Sequence, residues 1–214
     1  MYEKRGPGKI VKYIILFAVL AAVGGFYLYK NGFTNSVAGI RDPIQESAAG
    51  TVTIDRGEYR FVVHFQYSYD IEALVVHTYD YGGSSVESLL SPKDLALAWG
   101  TVAEHNNDIN FNWKQAGRWY SWTVKSWDEL DEVGGKMGVI TQSSNNHIIP
   151  AGERIKNDVM VIKKGDHVRL QGYLVNIVGY KNGREAYYWN SSTTRGDSGN
   201  HSCEVFYVTD VEWL

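Results

Sequence analysis

The chain has 214 residues, 44% of them apolar, enough to bury the core of one ordinary domain with accessory segments. Its formal net charge is −3, and residues 43–214 carry 15 basic against 22 acidic side chains, the wrong sign for gripping a nucleic-acid backbone. A single cysteine, Cys203, excludes an intrachain disulfide, so packing must supply the stability.

Residues 1–9 form a basic N-terminal segment, and residues 10–29 read as a transmembrane helix. The run from Tyr13 to Tyr29 has no charged side chain, and extending it back to Ile10 adds only Lys12, whose long stem reaches the headgroups. Tyr13, Tyr27 and Tyr29 mark the two ends as an aromatic belt would. A cleavable signal peptide is the rival reading, with Ala22-Val23-Gly24 as the cleavage site. The apolar run continues past it through Phe26-Tyr27-Leu28, which favours an uncleaved anchor. Lys4, Arg5, Lys9 and Lys12 precede the span, whereas Lys30 and Arg41 follow it. The expected topology is therefore a bacterial inner-membrane protein with a cytoplasmic N-terminus and a periplasmic or extracellular C-terminal domain.

Residues 30–50 are small, polar and turn-rich, and read as a linker to a β-rich domain over 51–214. In Glu58–Tyr67, alternate side chains Tyr59, Phe61, Val63, Phe65 and Tyr67 share one face, as in a half-buried strand. Residues 72–80 suggest a neighbouring strand. Ser91-Pro92-Lys93-Asp94, ahead of LALAWGTVAEH, carries helix-start chemistry and predicts a helix burying Leu95, Ala98, Trp99 and Val102. Ser126-Trp127-Asp128-Glu129 has the capping-box pattern.

The last third returns to strands. Val168, Leu170 and Leu174 line one face around Gly172, a residue that suits strong coiling or a close backbone approach. Lys181-Asn182-Gly183 supplies hairpin chemistry, and CEVFYVTDVEWL is apolar enough to be a central strand. The fold class is mainly β with a minor α component: a β-barrel or half-barrel with one or two short helices. Gly165-Asp166-His167-Val168 followed by Gly172-Tyr173-Leu174 is similar to the third strand of OB-type barrels.

Near the C-terminus, SSTTRGDSGNHSCEVFYV offers several short matches to functional motifs. His105, Asp158 and Ser198 fall in the chain order of a trypsin-like triad. Only 16 residues follow Ser198, too few for the second barrel that such proteases need. Asn200-His201-Ser202-Cys203 is similar to the cysteine box of L,D-transpeptidases, and sortases also pair an upstream histidine with a strand cysteine. His147 and Cys203 are the candidates for either chemistry. Residues 204–214 contain no basic side chain, and Glu204 opposes thiolate formation, so Cys203 is expected to be a small buried hydrophobe beside Val205.

His201, Cys203 and His147 lack a second paired motif, and no metal or other cofactor is expected. Arg195-Gly196-Asp197 lies in a long loop of turn formers, and Arg195 and Asp197 are binding candidates through that loop. In GRWYSWTVKSW, Tyr120, Trp122 and Val124 alternate onto one face and Trp119 points the other way. Trp119 is thus a candidate platform for a sugar ring of the cell wall.

SPKDLALAWG, NNHIIPAG and the closing WNSSTTRGDSGNHSCEVFYVTDVEWL together resemble a group of bacterial membrane-anchored proteins without an assigned activity. The resemblance spans most of residues 90–214, implies a bacterial source and gives no residue a role. The functional expectation is a membrane-anchored binding module of the envelope whose partner is a protein or a cell-wall component. The alternatives are a glycan-binding domain and a cysteine transpeptidase or peptidase.

Overall fold

The computed structural model describes residues 8–31, 35–196 and 202–214. Two compact units divide the chain, Met1–Phe33 and Thr34–Leu214. The first holds helix α1 (Gly8–Asn31), in which every side chain described, from Val11 to Phe26, is exposed. Among the described residues no helix is long and apolar enough to cross a membrane.

The second unit is mainly β. Strands β1 (Ile44–Ser47) and β2 (Thr51–Arg56) precede the 22-residue β3 (Tyr59–Asp80). Helix α2 (Val86–Leu90) leads into β4 (Lys93–Ala98), followed by α3 (Gly100–Glu104) and the small hairpin β5 (Lys114–Ala116) and β6 (Trp119–Ser121). A 3-10 helix (Trp127–Val133) and α4 (Gly135–Thr141) lead to β7 (Ser143–Pro150). Helix α5 (Glu153–Val161), β8 (His167–Lys181), β9 (Arg184–Asn190) and β10 (Glu204–Trp213) complete the domain.

Five strands close on themselves. β3 pairs antiparallel with β4, β4 with β7, β7 parallel with β10, β10 antiparallel with β8, and β8 back along the length of β3. Closure removes the unpaired edges that an open sheet would expose. Its main core includes Ile71, Leu74, Leu95, Leu97, Leu170, Leu174 and Phe206, with Ile155 and Val159 of α5 in the same cluster. Beyond the ring the N-terminal half of β3 and the C-terminal half of β8 continue as a ribbon flanked by β2 and β9. Under the ribbon lies a second apolar cluster of Phe61, Val63, Val175, Ile177 and Val205.

Local chemistry explains the bends. A Cβ on Gly172 would sit 2.0 Å from the Tyr207 carbonyl oxygen, so β8 and β10 approach as they do only because this residue is glycine. The β8–β9 turn uses Asn182 and Gly183, both at positive φ, as a tight hairpin demands. The Ser126–Glu129 capping box forms as its pattern suggests. β10 is central, with partners on both edges.

Three expectations change. Residues 93–98, read as a helix start, form strand β4, buried at every position. Six consecutive buried residues cannot be accommodated by the single stripe that a surface helix buries, and Ser91 ends α2 rather than beginning a helix. Residues 58–67 and 72–80, read as two neighbouring strands, fall on one continuous strand, Tyr59–Asp80, with a register shift between Phe65 and Tyr67. Much of the expected linker over 30–50 belongs to the domain. Ile40 is buried in the core, the Val37 amide donates to the Ala103 carbonyl at 3.0 Å, and β1 pairs with β3.

Candidate functional site

The site is built around a hairpin pinned to the barrel. At the β5–β6 turn Gly117 and Arg118 have φ of 57° and 71°, the mirror-image geometry of a two-residue hairpin. Glycine adopts this freely, whereas for arginine it costs about 1–2 kcal/mol. The Arg118 side chain offsets that cost. Its Nη1 donates to Asp94 Oδ1 at 2.7 Å and to Ser91 Oγ at 3.1 Å, and its Nη2 donates to the Ser91 carbonyl at 2.8 Å. The guanidinium also lies 3.5 Å from the centroid of the Tyr81 ring.

Asp94 is fully buried, and its second oxygen lies 3.0 Å from Nδ1 of His147 without the alignment of a hydrogen bond. Burial, and then the Asp94 carboxylate, push the Tyr81 phenol well above its ordinary pKa, so it remains a neutral donor.

A polar chain runs from this region toward the protein surface. His77 Nδ1 is 2.9 Å from Gln115 Oε1, Gln115 Nε2 donates to Asn145 Oδ1 at 2.5 Å, and Asn145 Nδ2 lies 3.6 Å from Cys203 Sγ. Cys203 is therefore half-buried at the end of a polar chain, not a small hydrophobe packed in the interior as its neighbours suggested. The parallel register sets Val205, not Cys203, opposite His147, and the His147 ring packs against Trp189 with centroids 4.9 Å apart. His105 and Asp158 of the triad pattern are engaged elsewhere, with Asp108 and Glu132 and with Arg154 respectively. Ser198 and His201 lie outside the described residues.

Cys203 opens onto a pocket of about 430 Å³. Trp119 and Tyr120 of the hairpin, Trp122 just after it, Trp127 of the 3-10 helix and Trp99 form its aromatic walls. Ser143, Ser144, Ser202, Lys136, Arg195 and Glu204 supply polar groups. Trp119 is 47% exposed and Trp127 66% exposed, so both are open to solvent. Tyr120 anchors the hairpin, its hydroxyl 3.3 Å from the Ser143 carbonyl, and Trp122 meets Trp127 edge-to-face at 6.3 Å.

Of the binding candidates, Trp119 and Arg195 both line this pocket, and Asp197 lies outside the described residues. Arg195 turns inward. Its Nη1 donates to the buried Glu204 Oε1 at 3.1 Å and its Nη2 to Gln45 Oε1 at 3.1 Å. The guanidinium lies 4.9 Å from the Tyr69 ring centroid and 5.7 Å from that of Trp99. Burial, reinforced by the Glu204 carboxylate, drives the Tyr69 phenol far above its usual pKa.

The sequence pattern did not mark Arg118 or Gln45, and it gave Asp94 and Glu204 other roles, a helix start and an opponent of the Cys203 thiolate. The available signal for the two carboxylates was an acidic residue beside an apolar strand run, Asp94 before Leu95 and Glu204 before Val205, because a buried carboxylate requires a cation nearby. Among the described residues no group of three or more histidine, cysteine, aspartate or glutamate side chains could hold a metal ion. Comparison with protein-family models, with curated proteins and with solved structures gave no match.

Proposed function

We propose that this chain is a membrane-anchored module of the bacterial envelope whose barrel binds a ring-bearing ligand, a cell-wall glycan, in the aromatic pocket. The observation that carries the reading is the pocket wall, where exposed Trp119 and Trp127 stand beside serine hydroxyls and a charged pair. Sugars are recognised in this way, their apolar faces stacking on indole rings while hydroxyls find polar partners at the edge. The OB-type reading of the barrel belongs with it. Taking the ring strands in chain order as first to fifth, they adjoin as first, second, third, fifth, fourth, with third and fifth parallel. A helix, α5, joins third to fourth, as in OB-type barrels.

What supports the anchor is the sequence of residues 10–29 together with the exposure of apolar side chains around α1, Phe17, Leu20 and Phe26 among them. Such a helix has no polar face to give to water. The positive flank supports a domain outside the cytoplasm.

Two experiments test the proposal. Purified peptidoglycan should retain the full chain in detergent, and Trp119→Ala with Trp127→Ala should abolish retention without lowering the melting temperature, since both rings are exposed. Retention unchanged by the pair would remove the pocket from the proposal. Protease added to spheroplasts should digest the domain, and digestion only after lysis would reverse the topology.

A further inference from the structure

Asn35, at the start of the domain, is held by two segments. Its Nδ2 donates to the Gly165 carbonyl at 3.5 Å, and its own carbonyl accepts from Asn106 Nδ2 at 2.7 Å. Helix α1 ends at Asn31, so four Cα steps separate the helix from this residue. Four steps of chain reach at most about 14 Å. Where residues 10–29 span a bilayer, Asn31 lies in the headgroup zone, which is about 5–8 Å deep on each side. The corner of the domain around Asn35 is thereby tied to the membrane surface.

The two segments at that corner differ in chemistry. Gly165 belongs to the turn that follows α5. Asp166 Oδ2 accepts there from the Lys163 amide at 3.0 Å and from the Trp213 indole at 3.1 Å. Trp213 is 43% exposed, and Val161, the last residue of α5, is 63% exposed. Lys164 takes part in no ion pair among the described residues. The carboxylates alongside are matched, Glu72 by His167 at 2.9 Å and Asp70 by Arg169. An indole, an aliphatic side chain and lysines are what a protein sets at the level of lipid headgroups. The ring lies among them and the ammonium meets phosphate.

The Asn106 side is acidic. Neighbouring His105 faces Asp108 at 3.2 Å and Glu132 at 3.3 Å. The 3-10 helix Trp127–Val133 holds Asp128, Glu129, Asp131 and Glu132 without a basic residue, and Glu129 Oε2 accepts from the Asn110 amide at 3.1 Å. An anionic surface repels this segment and attracts the other.

Resting on the anchor reading, we propose that the Lys163–Asp166 turn, with Val161 and Trp213, docks on the bilayer that holds α1 through anionic phospholipid headgroups. The acidic segment, and with it Trp127 of the aromatic pocket, then turns away from the membrane and toward the wall. The contact need not be strong. A short tether supplies an effective concentration in the millimolar range, and each lysine at an anionic surface favours contact by about fivefold.

All 7 tryptophans lie at or after Trp99 and none in α1, so quenching of their fluorescence by brominated lipid reports on the domain alone. The full chain is reconstituted in vesicles of equal parts phosphatidylglycerol and phosphatidylcholine, brominated near the headgroup end of the acyl chains. The wild type should be quenched, and Trp213→Phe should remove most of the effect. Lys164→Glu leaves Trp213 and its bond to Asp166 in place. It should lower quenching by about twofold or more in these vesicles and little in pure phosphatidylcholine.

No quenching, or quenching unchanged by Trp213→Phe, would overturn the docking face. Equal quenching of wild type and Lys164→Glu on the anionic vesicles would overturn the choice of headgroup. Flotation of the vesicles after an alkaline wash tests the anchor separately. A chain washed off removes both readings, whereas a chain that floats unquenched keeps the anchor and removes only the docking.

Discussion

Arg118 Nη1 donates to Asp94 Oδ1 at 2.7 Å, joining a hairpin tip to a barrel strand whose carboxylate has no contact with solvent. The same aspartate faces His147 through its other oxygen, so one carboxylate organises two basic groups. The hairpin bearing Trp119 and Tyr120 is located by this contact more than by its own short pairing of three residues per strand. The position of the pocket therefore depends on a residue that does not line it.

Arg118→Ala should be severely destabilising, by about 3–5 kcal/mol, because it leaves Asp94 buried without its strongest partner. Arg118→Met combined with Asp94→Leu should recover much of that loss, since removing both charges also removes the burial penalty. Urea denaturation of the wild type, Arg118→Met, Asp94→Leu and the double variant measures the coupling. A loss below about 1 kcal/mol for the single variant would mean that the pair is dispensable.

The domain begins earlier than its composition suggests. A fragment of residues 35–214 should fold cooperatively, whereas one of residues 45–214 should lose several kcal/mol. The shorter fragment lacks buried Ile40 and the Asp42 acceptor of Trp99 Nε1 at 3.1 Å. It also lacks the Ile40 carbonyl that accepts from the Gly100 amide at 3.1 Å. Equal denaturation midpoints for the two fragments would show that residues 35–44 contribute nothing.

Acid should weaken the domain partly through Asp70. Hydrogen bonds from Arg169, at 2.8 and 2.6 Å, hold its carboxyl below the usual carboxylate range, helped by Gln171 at 2.7 Å. A carboxyl whose folded pKa lies below its unfolded value of about 3.9 stabilises fully above that value. The contribution disappears as pH falls through the lower folded pKa. Asp70→Asn should therefore lower stability at neutral pH and flatten the acid limb of the stability curve below about pH 4, with the two proteins converging at the lowest pH. Parallel limbs would assign the acid loss to other carboxyls.

Cys203 offers a direct test of catalysis. As a half-buried residue on a pocket wall, it should be modified by a small maleimide in the native state, and bound peptidoglycan should slow that reaction. His147→Ala should leave the rate unchanged, because His147 faces Asp94 and packs on Trp189. A native rate that collapses in His147→Ala would favour the cysteine enzyme over the binding module.

Local chemistry was legible wherever one residue decides a backbone conformation. Asn182-Gly183, Gly172 and the Ser126–Glu129 box could be read directly, since turns, close approaches and caps depend on residue type more than on surroundings. β4 was not legible in the same way. Its Ser-Pro-Lys-Asp start has helix-capping chemistry, but the ring needs a second strand buried on both faces, and tertiary demand overrides a cap. Charge pairing was hidden for another reason. Arg195 in a polar loop looks outward, and only the fold brings it to Glu204 and Gln45, the latter 150 positions away.

The antiparallel alignment of β3 with β8 runs from Tyr59 opposite Lys181 to Leu74 opposite His167. Its consequence falls on the ribosome. β3 is complete at Asp80, yet its longest partner ends at Lys181, so at about 5–20 residues per second the strand waits on the order of 5–20 s for it. During that time a 22-residue aromatic strand has an open edge, the kind of surface that invites aggregation. Maturation of this protein in the cell should therefore depend on a holding chaperone, and a ribosome stalled shortly after Asp80 should leave a nascent chain more sensitive to protease than one stalled after the full domain has emerged.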